Sequence, residues 1–321
     1  MQLVKFTSIF FLTLILLACA EGPSEQKQIA SKGLLSGDIS VEGDNAVIGS
    51  IFNGGSYWDL KKNERLFDWN HAKGKMSLIR AAAISGNGLR AVTCVENNMV
   101  LWDTQSGKYL QFWQASSRIE SVSINLDGSR ALMGLKDGTA SYFDMDKGAE
   151  IFNFTHQAEV RSTGLSEDGL IGITGSDDNT AKILDLKNGK VINSQKLHNQ
   201  IKTVAISPSG DLAFATAQRE DALIWDTKTG ETIFKFSNTY TNYTVANFSK
   251  DEKYLSLGTF QGAIILYDLK SKKKVNTWQA KPRKAFGGAS SKAIIDLVYS
   301  GKIITALTSD GMVEIFKAPQ L

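Results

Sequence analysis

The chain has two cysteines and four prolines in 321 residues. Two cysteines, Cys19 and Cys94, exclude a scaffold held by several disulfides. Few prolines together with 28 glycines, 42% apolar and 21% charged residues exclude a disordered chain. Charge of one sign is also lacking. Lys plus Arg is 36 and Asp plus Glu is 33, a net +3, so nucleic acid is not expected as a partner. No H-E-x-x-H, P-loop or nucleophile elbow occurs, and no stretch after residue 20 carries a helical stripe. The longest apolar run, Phe6 to Leu17, is 12 residues, short of the roughly 20 that a spanning helix needs.

That run fits the apolar region of a signal peptide instead. Lys5 is its only preceding charge, and it ends Leu16-Leu17-Ala18-Cys19. These residues resemble the bacterial lipobox, in which the cysteine is lipidated and becomes the first mature residue. The resemblance implies a signal peptide over residues 1–18, lipid on Cys19 and a polar tether over 19–25. An ordinary secretory signal is the alternative. Ala20, not Asp, follows the cysteine. By the same resemblance a Gram-negative cell would send the protein to the outer membrane, facing the periplasm. In a bacterial cell the Asn-x-Ser/Thr sequences at Asn153, Asn242 and Asn247 carry no weight. Cys94 lies in the apolar run Ala91-Val92-Thr93-Cys94-Val95 and is expected to be inert core.

The rest of the chain repeats. An aromatic or apolar residue precedes Asp at Trp58-Asp59, Trp102-Asp103, Phe143-Asp144, Leu184-Asp185, Trp225-Asp226 and Tyr267-Asp268, with a degenerate Phe316-Lys317. The steps are 44, 41, 41, 41, 42 and 49 residues. Gly107, Gly148, Gly189 and Gly230 each fall four residues after the Asp, where a tight turn is expected. Trp69, Trp113, Phe154, Phe236 and Trp278 fall ten after it, with Gln195 at the same place in the fourth unit. Runs such as Leu212 to Thr216 and Ala263 to Tyr267 read as strands. Each unit is therefore four short antiparallel strands, at a period of roughly 40–45 residues expected of a propeller blade.

These units resemble the WD-repeat family of β-propellers, most clearly over Thr174 to Asp185 and in the unit ending Leu223-Ile224-Trp225-Asp226. Only three of seven units have Trp before the Asp, and the first, sixth and seventh are eroded. The expected fold is all-β, a seven-bladed propeller of four-stranded blades over residues 26–321. Blade seven lacks a fourth strand, so Gln26 to Ser31 is expected to complete it and seal the ring.

His71, His156 and His198 occupy one loop in three blades. The resemblance implies a structural hydrogen-bond network, with His156 on Asp178 and on Thr174 or Ser176. Asp137, Asp178 and Asp310 would cap turns. A shared metal is disfavoured, because equivalent positions lie on different radii of the ring. The aromatics are expected to wedge between blades rather than to form a sugar-binding stripe.

Two features stand outside the repeat. Arg80, Arg161 and Lys202, with Glu120, form a row near the start of successive inner strands, and Arg219 and Phe260 fall in turns on the same face. The family commonly holds partners there. The long connection Ala280 to Lys292 carries Lys281, Arg283 and Lys284 on that face, whereas Lys272, Lys273 and Lys274 lie in the opposite hairpin. The functional expectation is a non-enzymatic scaffold, without a cofactor, anchored in the bacterial envelope and binding a protein. A lactonase-like or quinoprotein-like enzyme, which would need asymmetric polar groups converging on the channel, is one alternative. Cell-wall or glycan binding through the basic face is another.

Overall fold

The computed structural model describes residues 20–72, 74–236, 241–281 and 292–319. Cys19, Arg283 and Lys284, with the signal segment, lie outside the described residues. Seven four-stranded antiparallel sheets make up the described residues, which contain no helix. Blades one to six each take four consecutive strands, from Leu34–Ile39 in blade one to Lys273–Gln279 in blade six. Blade seven comprises Ile294–Tyr299, Ile303–Thr308 and Met312–Lys317, and its outer strand is Glu25–Gln28 from the other end of the chain. Glu25 to Gln28 pair antiparallel with Ile315 to Met312. The closure therefore runs as the sequence implies, beginning one residue earlier and ending three sooner.

The chain is also tied before that strand. Glu21 bridges Trp278 in parallel, and the Ser24 N–H donates to the Ile315 carbonyl at 2.7 Å. The segment expected as a polar tether over 19–25 is bonded to blades six and seven from Glu21 onward.

Burial runs radially. Each blade is sandwiched between two others, so its second strand is covered on both faces and reads as a continuous run, as in Leu212–Ala217 and Ile303–Thr308. Outer strands touch solvent, and Lys190–Lys196 is mostly exposed. The aromatics of those outer strands turn inward between blades. Trp69 stacks on Trp102 of the next blade at 5.2 Å and donates its Nε1–H to the Gly107 carbonyl. Phe236 meets Tyr267 at 4.4 Å and Trp113 meets Phe143 at 5.4 Å, both across a blade boundary. Gln195 substitutes for the aromatic by keeping the hydrogen bond: its Nε2 donates to the Gly230 carbonyl at 2.8 Å, the same contact that Trp69 makes.

Gly107 has φ of 71°, and a Cβ there would meet the Phe67 ring. Turn and blade packing together require glycine. A second glycine series, Gly49, Gly134, Gly175 and Gly258, has another cause. A Cβ at Gly134 would press on the Val160 carbonyl of the following blade, and one at Gly175 or Gly258 on Ile201 or Ile294. The next inner strand enters at that point. Blade two places Cys94 there, fully buried, and burial pushes its thiol pKa far up, so it is a small core side chain.

A candidate interaction site at the channel mouth

Inner strands have one edge facing the central channel, and their backbone groups need partners from elsewhere. Neighbouring blades supply them. Ser36 Oγ donates to the Ile79 carbonyl, Thr203 Oγ1 to Tyr243, Thr244 Oγ1 to Ile294 and Asn247 Nδ2 to Leu297. These side-chain hydrogen bonds form a belt beside the channel that links blade one to two, five to six and six to seven.

The row singled out in the sequence lies at one end of this belt. Six inner strands carry a register shift after their first residue: Leu34/Ser36, Ile119/Ser121, Val160/Ser162, Ile201/Thr203, Tyr243/Val245 and Ile294/Asp296. A bulge leaves one residue unpaired and re-aims its side chain. Here those residues are Leu35, Glu120, Arg161, Lys202, Thr244 and Ile295, and Arg80 takes the same place in blade two. They ring one mouth of the channel, where Leu35, Arg80, Glu120, Thr244 and Ile295 line one depression.

The expected basic patch is corrected by its neighbours. Arg118 Nη2 lies 2.5 Å from Glu120 Oε1, and Glu120 Oε2 lies 3.4 Å from Arg161 Nη1. Arg161 also pairs with Glu159 at 2.5 Å and Asp177 at 2.9 Å, and Asp177 reaches Lys202 at 3.2 Å. Arg80 faces Glu96 at 3.6 Å. Burial works against the Arg161 charge, but Asp177, Glu159 and Glu120 together outweigh it and hold its pKa above the usual value. Four cations meet four carboxylates, so this arc is a charged ladder with little net field. The sequence row shows only one carboxylate because the others sit on the turns beside it.

The other arc is apolar. Leu35, Ile51, Phe52, Met76, Leu78 and Phe260 are all exposed, and their turns and connections open on the same face. Phe260 and Lys202 share a cavity of about 600 Å³ between blades five and six. Arg219 is exposed in the adjoining turn at φ of 58°. Lys281 opens the connection from blade six to blade seven, and its backbone serves the closure, with its carbonyl accepting from Lys292 Nζ at 2.7 Å.

The three histidines divide. His156 is buried, with Nδ1 3.0 Å from Asp178 Oδ2 and Nε2 2.8 Å from Thr174 Oγ1. Ser176 turns instead to the Ala158 carbonyl. Burial opposes the Asp178 charge, but bonds from Thr180, the Gln157 N–H and His156 outweigh it and take its pKa down to about 2. His71 Nε2 meets Thr93 Oγ1, which also accepts from Trp102 Nε1. Burial lowers the His71 pKa to about 4. His198 departs from both: its side chain is 96% exposed, held outward by Glu220. Glu220 is one methylene longer than Asp178 and also caps the His198 N–H, so the ring never enters a network. Asp137 caps its turn through the Thr139 N–H, and Asp310 accepts from Thr308 Oγ1. No cluster of three or more His, Cys, Asp or Glu side chains placed to hold a metal occurs among the described residues.

Blade seven fills the histidine niche with Lys292. This lysine is buried, 2.7 Å from Glu314 and 3.3 Å from Asp310. Gln26 Nε2 donates to the same Glu314 at 2.5 Å, so the ion pair binds the amino-terminal strand to the last blade.

One asymmetric pair of polar groups does meet at the channel. Asp38 on the inner strand of blade one and Asp296 on that of blade seven share a hydrogen bond. Asp38 Oδ2 accepts the Ile84 N–H at 2.6 Å and Asp296 Oδ2 the Ile39 N–H at 2.8 Å. Burial raises both pKa values, Asp38 to about 6, and the Asp38 charge raises Asp296 further. The two residues are 258 positions apart in different blades, and no local spacing announces them.

No family model and no curated protein matches the sequence.

Proposed function

We propose that the protein is a WD-repeat-type propeller that binds a protein partner on the channel-mouth face, held in a bacterial envelope by lipid on Cys19. The observation that carries the reading is the divided mouth: exposed Leu35, Ile51, Phe52, Met76, Leu78 and Phe260 beside the ladder from Arg80 to Lys202. Exposed apolar side chains on one face of a rigid scaffold mark protein contact surfaces, and a balanced ladder supplies a polar rim. The repeat's own polar residues are spent internally, as the contacts of His156 with Asp178 and Thr174 illustrate, and these contacts are those of the family resemblance. The apolar run before Cys19 supports the anchor.

Crosslinking in intact cells followed by mass spectrometry tests the reading. The wild-type protein should yield a protein adduct mapping to Phe52, Met76 or Phe260, and Phe52→Asp with Phe260→Asp should lose it. An adduct that persists in the variant, or maps to the other face, refutes the site. A second reading, a propeller enzyme, draws on the Asp38–Asp296 pair alone. Both carboxyls already serve backbone N–H groups of neighbouring blades, which gives them a structural duty.

A further inference from the structure

The chain reaches the propeller almost as soon as the lipobox ends. Ala20 is exposed, and the Glu21 carbonyl already accepts the Gln279 N–H at 2.9 Å. Ser24 follows with two bonds to the Ile315 carbonyl, from its N–H at 2.7 Å and its Oγ at 2.9 Å. Two residues of extended chain span at most about 7 Å. A lipid on Cys19 would therefore keep the rim of blade six near the bilayer, without by itself fixing which face turns toward it.

The direction of approach is also set. The Glu21–Trp278 bridge is parallel, so the incoming chain runs the same way as the outer strand Lys273–Gln279. That strand starts from a hairpin where Lys270, Lys272, Lys273 and Lys274 crowd together, all four exposed. None of them forms an ion pair among the described residues, in contrast to the neutralised ladder at the channel mouth. Lys272 Nζ reaches only the Ile233 carbonyl, and Asp268 at the hairpin base spends its carboxylate on the Ser271 N–H. Glu21 is the other carboxylate on this path.

We propose that this lysine hairpin is a membrane-facing surface that lies on anionic phospholipid headgroups when the protein is anchored. Attraction to an anionic surface fades within a Debye length, roughly 8 Å at physiological ionic strength. Glu21 is bonded four residues beyond Lys274 on that strand, roughly 13 Å, so an attachment two residues before Glu21 lets the hairpin tilt into that range, where a long tether would impose no such proximity. Turns between the third and outer strands open on the face opposite the channel-mouth ring, so this orientation leaves the ring directed away from the bilayer. The proposal rests on the lipid-anchor reading.

The test uses the full chain, processed in cells, purified in detergent and reconstituted into vesicles of phosphatidylglycerol and phosphatidylethanolamine. Cys94 is buried, so a fluorophore can be placed by Lys273→Cys on the hairpin, or by Gln157→Cys in the exposed connection between blades three and four on the channel-mouth face. Spin-labelled headgroups should quench the position-273 probe several-fold more than the position-157 probe. Lys270→Gln, Lys272→Gln and Lys274→Gln together should abolish that difference while the protein stays on the vesicles. Phosphatidylcholine vesicles should abolish it likewise. Equal quenching at the two positions, or a difference indifferent to lysines and lipid charge, overturns the proposal. Intact-mass measurement separates the two claims. An acyl group with equal quenching removes the orientation alone, whereas no acyl group removes the anchor and the proposal with it.

Discussion

Replacing Asp38 with asparagine should stabilise the protein at neutral pH and leave it unchanged in acid. Asp38 and Asp296 share one hydrogen bond between blades one and seven, and burial lifts the Asp38 pKa to about 6 from an ordinary 3.8. A carboxyl whose pKa is higher folded than unfolded binds its proton more tightly when folded. Its contribution is therefore greatest below pH 3.8, declines as pH rises toward 6, and is level above that. A gap of about two pH units corresponds to about 3 kcal/mol. The amide of Asp38→Asn keeps an oxygen for the Ile84 N–H and gains an N–H for Asp296, so position 38 no longer ionises, while Asp296 keeps the rise that burial gives it and loses the part the Asp38 charge adds. Urea denaturation at pH 4 and pH 7.5 measures the effect. The variant should match the wild type at pH 4 and exceed it by up to about 3 kcal/mol at pH 7.5. Taking the difference between variant and wild type cancels His71 and His156, which act in the opposite sense: burial lowers both pKa values, so their contribution is lost as pH falls below 6.5. A variant equally displaced at both pH values, or weaker at pH 7.5, would refute the shared-proton account.

The closure and the histidine network give two further expectations. Lys292→Met strands Glu314 without its cation in a fully buried site and should cost about 3–5 kcal/mol, most of it regained when Glu314→Leu is added; a cost under about 1 kcal/mol in denaturant titration would contradict it. His156→Leu orphans the buried Thr174 hydroxyl, should cost about 1–3 kcal/mol, and should raise the Asp178 pKa in a carboxyl NMR titration, whereas an unmoved Asp178 would separate it from the network.

The fold was legible because a propeller is written as a period. Asp59, Asp103 and their successors recur near 42 residues because each blade is one unit that cannot bury its faces alone. Turn glycines such as Gly107 announced themselves by phase. The missing strand of blade seven was visible as a deficit that Gln26 to Ser31 could fill, and Glu25–Gln28 fills it. The site was only half legible. Arg80, Arg161 and Lys202 stood out by charge and phase, but their neutralisation by Glu159 and Asp177 depends on which turns the ring brings beside them. His198 shared its loop with His71 and His156 and still points outward, because one extra methylene at Glu220 holds it there.

By itself the sequence determined what is periodic: blade number, strand order, the turn glycines and the inward aromatics, all set by contacts within a blade or with the next one. Only the tertiary structure decided what depends on closure. The Asp38–Asp296 pair, the Lys292–Glu314 lock under Gln26 and the bonding of Glu21 against blade six all join segments far apart in the chain. They come together because the ring brings its two ends face to face, and no local pattern of residues encodes that meeting.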